Sequence, residues 1–153
     1  MITKGENRFN CCESVLLRID AERPLQGFDD DIMRVASAYG GGVMGWGSVC
    51  GAAAGACMAL GLIYGTNGEE PPEKYDEMRT RMREIGQEFM VAFEGEFGSV
   101  NCMDLLEVDR RTEEGKRRYE ELKAQDAFRC GEYVEWSAEK LLEMLKESLS
   151  TPT

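Results

Sequence analysis

The chain has 153 residues, 42% of them hydrophobic and 31% charged, with 29 acidic side chains against 18 basic ones and no histidine. A net charge of −11 argues against nucleic acid and against an anionic membrane surface, since a polyanion is held by clustered cations that release its counterions. Lack of histidine excludes a Ser-His-Asp or Cys-His nucleophile, a Cys/His zinc site, a C-x-x-C-H haem attachment and the E-x-x-H ligands of a helical di-iron bundle.

In chain order, residues 9–20 carry Phe9, Cys12, Val15, Leu16 and Ile19 at helical spacing. Acidic Asp29, Asp30 and Asp31 suit the start of a second helix whose apolar face is Ile32, Val35, Ala36 and Tyr39 and which Gly40, Gly41 and Gly42 end. Ser48 is placed to cap a third helix of about 17 residues that turns at Gly65. A fourth helix over residues 73–96 bears a stripe of Tyr75, Met78, Met82, Ile85, Phe89 and Phe93, which reads as core. Residues 101–108 suggest a short helix opening beside Cys102, residues 110–128 a charged and exposed one, and residues 132–149 a last helix burying Val134, Ala138, Leu141, Leu145 and Leu149. The expected fold is all-α, a single domain over residues 1–153 with loose ends at 1–7 and 148–153. The basic runs 79–83 and 110–118, interleaved with acids, read as solvated helix faces, and Glu84 and Glu88 as surface carboxylates.

Residues 39–65 stand apart. They hold nine of the 17 glycines and two of the six cysteines, and no charge falls anywhere within residues 35–68. Neutrality all round predicts a central helix buried on every side. A membrane span is the weaker alternative, because glycine and alanine gain little in hydrocarbon. Glycine costs about 1 kcal/mol against alanine inside a helix, so either close helix packing or a site must compensate.

Cys50 falls in the first turn of this helix, where free amides and the helix dipole favour a thiolate. The loop at residues 40–47 could add amide donors for a sulfide or another anion. The N-terminus lacks the apolar stretch of a secretory signal, which points to the cytoplasm, where six cysteines suggest metal or redox chemistry rather than disulfides. Their spacing decides little: Cys11, Cys12, Cys50, Cys57, Cys102 and Cys130 form neither a C-x-x-C knuckle nor a common ferredoxin pattern.

Asn10-Cys11-Cys12-Glu13-Ser14-Val15, Tyr39-Gly40-Gly41-Gly42, Cys50-Gly51-Ala52-Ala53-Ala54-Gly55, Met58 to Gly65, Phe97-Gly98-Ser99-x-x-Cys102 and the late Cys130 resemble the C_GCAxxG_C_C family, whose members are described as redox-active. The resemblance covers most of the chain in order, with the central motif written C-G-A-x-x-G. It carries the four family cysteines onto Cys11, Cys50, Cys102 and Cys130 and leaves Cys12 and Cys57 as core. It also implies kinship with the non-haem part of split-Soret cytochromes, hence an iron–sulfur cluster, [2Fe–2S] or [4Fe–4S], held by four thiolates.

Three functions follow as expectations. The first is electron transfer through that cluster, with amides of residues 40–47 raising its potential and a redox partner protein docking. The second is a thiol–disulfide protein or sensor using Cys50, resolved by Cys11 or Cys102; Cys57, seven helical residues on, lies about 10 Å away along the axis and out of reach. The third is a structural zinc module with four cysteine ligands. The small-residue faces suit a homodimer.

Overall fold

The first amides of a helix need acceptors, and the sequence supplies them unevenly. At Asn10 it supplies a complete capping box: the Asn10 side chain accepts from the amides of Cys12 and Glu13, and the Glu13 carboxylate accepts the Asn10 amide at 2.7 Å. Helix α1 (Cys11–Glu22) therefore starts after Phe9. Asp29 caps α2 (Asp30–Ser37) in the same way, accepting from the amides of Asp31 and Ile32.

The computed structural model describes residues 1–4 and 6–150, with side chains to residue 147. The remaining described helices are α3 (Gly51–Tyr64), α4 (Pro72–Phe97), α5 (Cys102–Leu106), α6 (Glu113–Ala124) and α7 (Cys130–Ser150). The fold is all-α apart from one hairpin, β1 (Thr3–Lys4) against β2 (Asn7–Arg8), antiparallel with Thr3 opposite Arg8. That hairpin corrects the expectation of a loose N-terminus: the Ile2 amide donates to the buried Ser14 hydroxyl at 3.1 Å and the Phe9 amide to the Ile2 carbonyl at 3.0 Å. The side chain of Leu149 and residues 151–153 lie outside the described residues.

Helix α1 packs on α3 and α7, and α3 also meets α4 and α7. Two glycines four residues apart make the first of these contacts close. A Cβ on Gly51 would collide with Cys11 Sγ, and one on Gly55 would lie 2.7 Å from the Cys12 carbonyl oxygen and 3.0 Å from Val15 Cβ. The cost of glycine in α3 is thus offset by backbone approach. Leu16, Ile19, Leu60, Phe89, Phe93 and Leu141 are fully buried around it. Between α4 and α7 an aromatic cluster forms, with Phe97 4.8 Å from Tyr133 and 5.3 Å from Trp136, both edge-on.

Three expectations need correction. Helix α3 is not buried all round: its neighbours leave one side open, so Cys57 is exposed rather than core, on a groove of about 590 Å³ lined also by Leu60, Met82, Gly86, Met90 and Val91. Val35 is 56% exposed, because the short α2 turns only Ala36 fully inward. Helix α6 starts at Glu113, since Thr112 caps it by accepting the Gly115 amide at 3.0 Å, which leaves Arg110 in the preceding turn. No helix among the described residues is long and apolar enough to cross a membrane. Glu84 and Glu88 are exposed, and the α4 stripe is buried at Ile85, Phe89 and Phe93 but only half-buried at Tyr75, Met78 and Met82.

Candidate functional site

Cys11, Cys50, Cys102 and Cys130 each stand at a helix start. Cys11, Cys102 and Cys130 are the first residues of α1, α5 and α7, and Cys50 is the N-cap of α3. The capping box fixes Cys11, and the Asn10 amide group also donates to the Ser37 carbonyl at 3.0 Å, tying α1 to the end of α2. Cys50 and Cys102 are fixed together: Val49 and Asn101 form an antiparallel bridge, with the Cys50 amide donating to the Val100 carbonyl and the Cys102 amide to the Ser48 carbonyl, each at 2.7 Å. Cys50, not Ser48, therefore occupies the cap position. At α7, the Tyr133 hydroxyl reaches back to the Leu105 carbonyl of α5 at 3.4 Å.

The structure places Cys11 within range of the charge on each of the other three. A charge on Cys11 acts on Cys50, Cys102 and Cys130; Cys50 and Cys102 also interact, as do Cys102 and Cys130. Cys11, Cys50 and Cys102 are buried and Cys130 half-buried, and all six cysteines are free thiols. Burial is the main influence on the protonation of Cys50, Cys102 and Cys130. It pushes the Cys50 and Cys102 thiols up to about 12 and Cys130 up to about 11, with the neighbouring Cys11 charge adding to each.

For Cys50 this reverses the expected balance. The amides of Ala52 and Ala53 at the helix start do pull its pKa down, but burial outweighs them. Arg110 pulls Cys102 down, and Arg8 and the Met1 amino group pull Cys130 down, so cations surround this end of an acidic chain. Cys12, next to Cys11, is fully buried with its thiol 3.6 Å from the Met58 sulfur, and burial together with the Cys11 charge pushes it up to about 12 as well.

Residues 40–47 form a tight left-handed coil against Cys102. Gly41, Gly42, Gly45 and Gly47 have positive φ, and so do Val43 at 59° and Met44 at 53°, a conformation a β-branched residue seldom adopts. Gly42 backs onto Cys102, where a Cβ would sit 2.7 Å from Cys102 Cβ. The coil uses its own amides: those of Val43, Met44, Gly45, Trp46, Gly47 and Ser48 donate to the carbonyls of Tyr39, Ala38, Gly40, Val43, Gly41 and Gly42. These internal bonds occupy the amides of residues 43–47, so of the loop's amides only those of Gly40, Gly41 and Gly42 are not engaged in the coil's internal bonds.

Sequence reasoning missed Arg110. Charge patterning reads it into a solvated helix, whereas it stacks on Tyr119, its guanidinium carbon 3.9 Å from the ring centroid, and presses on Gly41 and Gly45. Thr112 followed by two glutamates is a readable cap signature that would have placed Arg110 outside α6.

Among the described residues, no three Cys, Asp or Glu side chains form a ready-made metal cage. The donor set nonetheless has the chemistry of a soft-metal or iron–sulfur site: four thiols with no imidazole, beside cations that favour negative charge. No curated protein and no solved structure matches the chain. The family model described as "Putative redox-active protein (C_GCAxxG_C_C)" matches residues 9–144. That span contains all four thiol-bearing helix starts and the coil that backs onto Cys102, and the chain belongs to the C_GCAxxG_C_C family of redox-active proteins.

Proposed function

We propose that Cys11, Cys50, Cys102 and Cys130 hold an iron–sulfur cluster and that the protein works in electron transfer with a redox partner. The observation that supports this most is that Cys11, at the start of α1, lies within range of the charge on Cys50, Cys102 and Cys130, each of them at the start of another helix. Cys50, Cys102 and Cys130, raised by burial and by the Cys11 charge, hold their protons on their own, and a cation bound by the thiols would remove both the repulsion and the cost of burial. A bound cluster would supply reversible one-electron chemistry. The chain's part is to exclude water by burying the thiols, to hold them on four helices, and to set Arg8, Arg110 and the Met1 amino group near the negative charge.

Thiol–disulfide chemistry at Cys50 is the second reading, because Cys11 Sγ rests on Gly51, the residue after Cys50. A nucleophilic thiol needs a lowered pKa, and burial moves Cys50 the other way. The discriminating experiment is anaerobic reconstitution of single variants. Cys50→Ser and Cys102→Ser should lose iron, and Cys57→Ala, altered on the open groove, should load it as wild type does; equal loss from all three contradicts the ligand set. Zinc bound in place of iron would assign the same thiols a structural role.

A further inference from the structure

Among the described residues Arg110 forms no ion pair, whereas its neighbour Arg111 pairs with Asp109 at 2.7 Å and Arg129 with Glu132 at 2.7 Å. A half-buried guanidinium has lost part of its hydration and normally recovers it from a carboxylate. Carboxylates are plentiful, 29 acidic residues in the chain, yet among the described residues none is set within ion-pair distance of this one. Arg110 is instead held in a built seat. Tyr119 lies under it at 3.9 Å, and two positions of the coil are kept free of side chains where it rests: a Cβ on Gly41 would strike Nη1, and one on Gly45 would come within 3.2 Å of Nη2. The adjacent glycine, Gly42, touches Cys102. Two consecutive glycines thus connect an unpaired cation to one of the four thiols.

We propose that Arg110 is the anion-binding residue of the four-cysteine site, and that the small reactant of this site carries a carboxylate or phosphate that docks on it. The inference rests on the four cysteines being the reactive centre. A protein with an acidic face fits less well, because it would meet the repulsion of the whole chain at −11, while a small anion feels chiefly the field within about 10 Å at ordinary salt. Tyr119 positions the guanidinium by stacking, and the coil leaves it room.

The test uses full-length, metal-free, reduced protein carrying Cys57→Ala, so that the exposed thiol does not report. Two disulfide probes are compared at low salt: the dianion dithiobis(nitrobenzoate) and uncharged dithiodipyridine. In each reaction one protein thiolate attacks the probe's disulfide, forms a mixed disulfide and releases one aryl thiolate. Arg110→Gln raises the Cys102 pKa and so slows both probes, but it should slow the dianion at least about threefold more than the neutral probe; Arg110→Lys should retain the wild-type ratio of the two rates, and added salt should remove the preference. Equal slowing of both probes, or of neither, overturns the inference, the first by showing that Arg110 only props the coil. Iron loading separates the two readings: Arg110→Gln that loads iron as wild type does but shows no loss of preference for the dianion overturns the inference alone, whereas wild-type protein that takes up no iron on anaerobic reconstitution overturns the four-cysteine centre and the inference with it.

Discussion

Val49 and Asn101 pair across an antiparallel bridge, and the residue after each of them is a thiol that opens a helix. The flanking bonds at 2.7 Å fix the starts of α3 and α5 against each other through the backbone, without drawing on the side chains of Cys50 and Cys102. Position is therefore set by backbone, and the thiols remain available for chemistry.

The contact between α1 and α3 predicts opposite outcomes for two glycines of one helix. In Gly51→Ala the new methyl meets Cys11 Sγ and lies 2.9 Å from the Tyr39 carbonyl oxygen, whereas at Gly61 nothing stands within 4 Å. Gly51→Ala should cost about 1–3 kcal/mol through overpacking, and Gly61→Ala should gain about 0.5–1 kcal/mol from helix propensity. Urea unfolding midpoints of the two variants check this.

Two buried serines differ in the same manner. Ser14 accepts the Ile2 amide at 3.1 Å, while the Ser137 hydroxyl has no partner among the described residues. Ser14→Ala should destabilise by about 1 kcal/mol and release the N-terminal hairpin, and Ser137→Ala should stabilise by a similar amount. Thermal unfolding measures both, and amide exchange at Ile2 and Phe9 reports the hairpin.

Alkaline pH should weaken the metal-free, reduced protein. The folded state holds the Cys50 and Cys102 protons up to about 12, whereas the unfolded chain releases them near the ordinary thiol value of about 8.5. Above that value the unfolded state binds fewer protons than the folded one, so stability falls as pH rises through the interval between the two. Denaturant midpoints across the alkaline range should decline, and Cys50→Ala should flatten the decline.

Much of this architecture was legible because large apolar side chains recur with a helical period. Val15, Leu16 and Ile19 placed α1, the Phe89 and Phe93 stripe placed α4, and Val134, Leu141 and Leu145 placed α7, all of them buried as expected. Helix α3 was legible as an element but not in its exposure. Glycine and alanine all round give no sided pattern, so nothing in the sequence distinguished the covered Ala56 from the open Cys57. The hairpin escaped because two-residue strands carry no alternation. At the site, family resemblance pointed to four cysteines, whereas composition and spacing led only as far as Cys50. Arg110 and the self-bonded coil depend on positive φ at six neighbouring positions and on a cap at Thr112, a long-range arrangement that residue spacing does not encode.

The most direct test is iron and acid-labile sulfide analysis of protein purified without oxygen, with a visible spectrum before and after dithionite. An iron–sulfur protein gives iron and sulfide in near-equal amounts and a broad visible absorption that bleaches on reduction. Colourless protein, free of iron and sulfide even after anaerobic reconstitution, would contradict the cluster and leave the four thiols to disulfide or zinc chemistry.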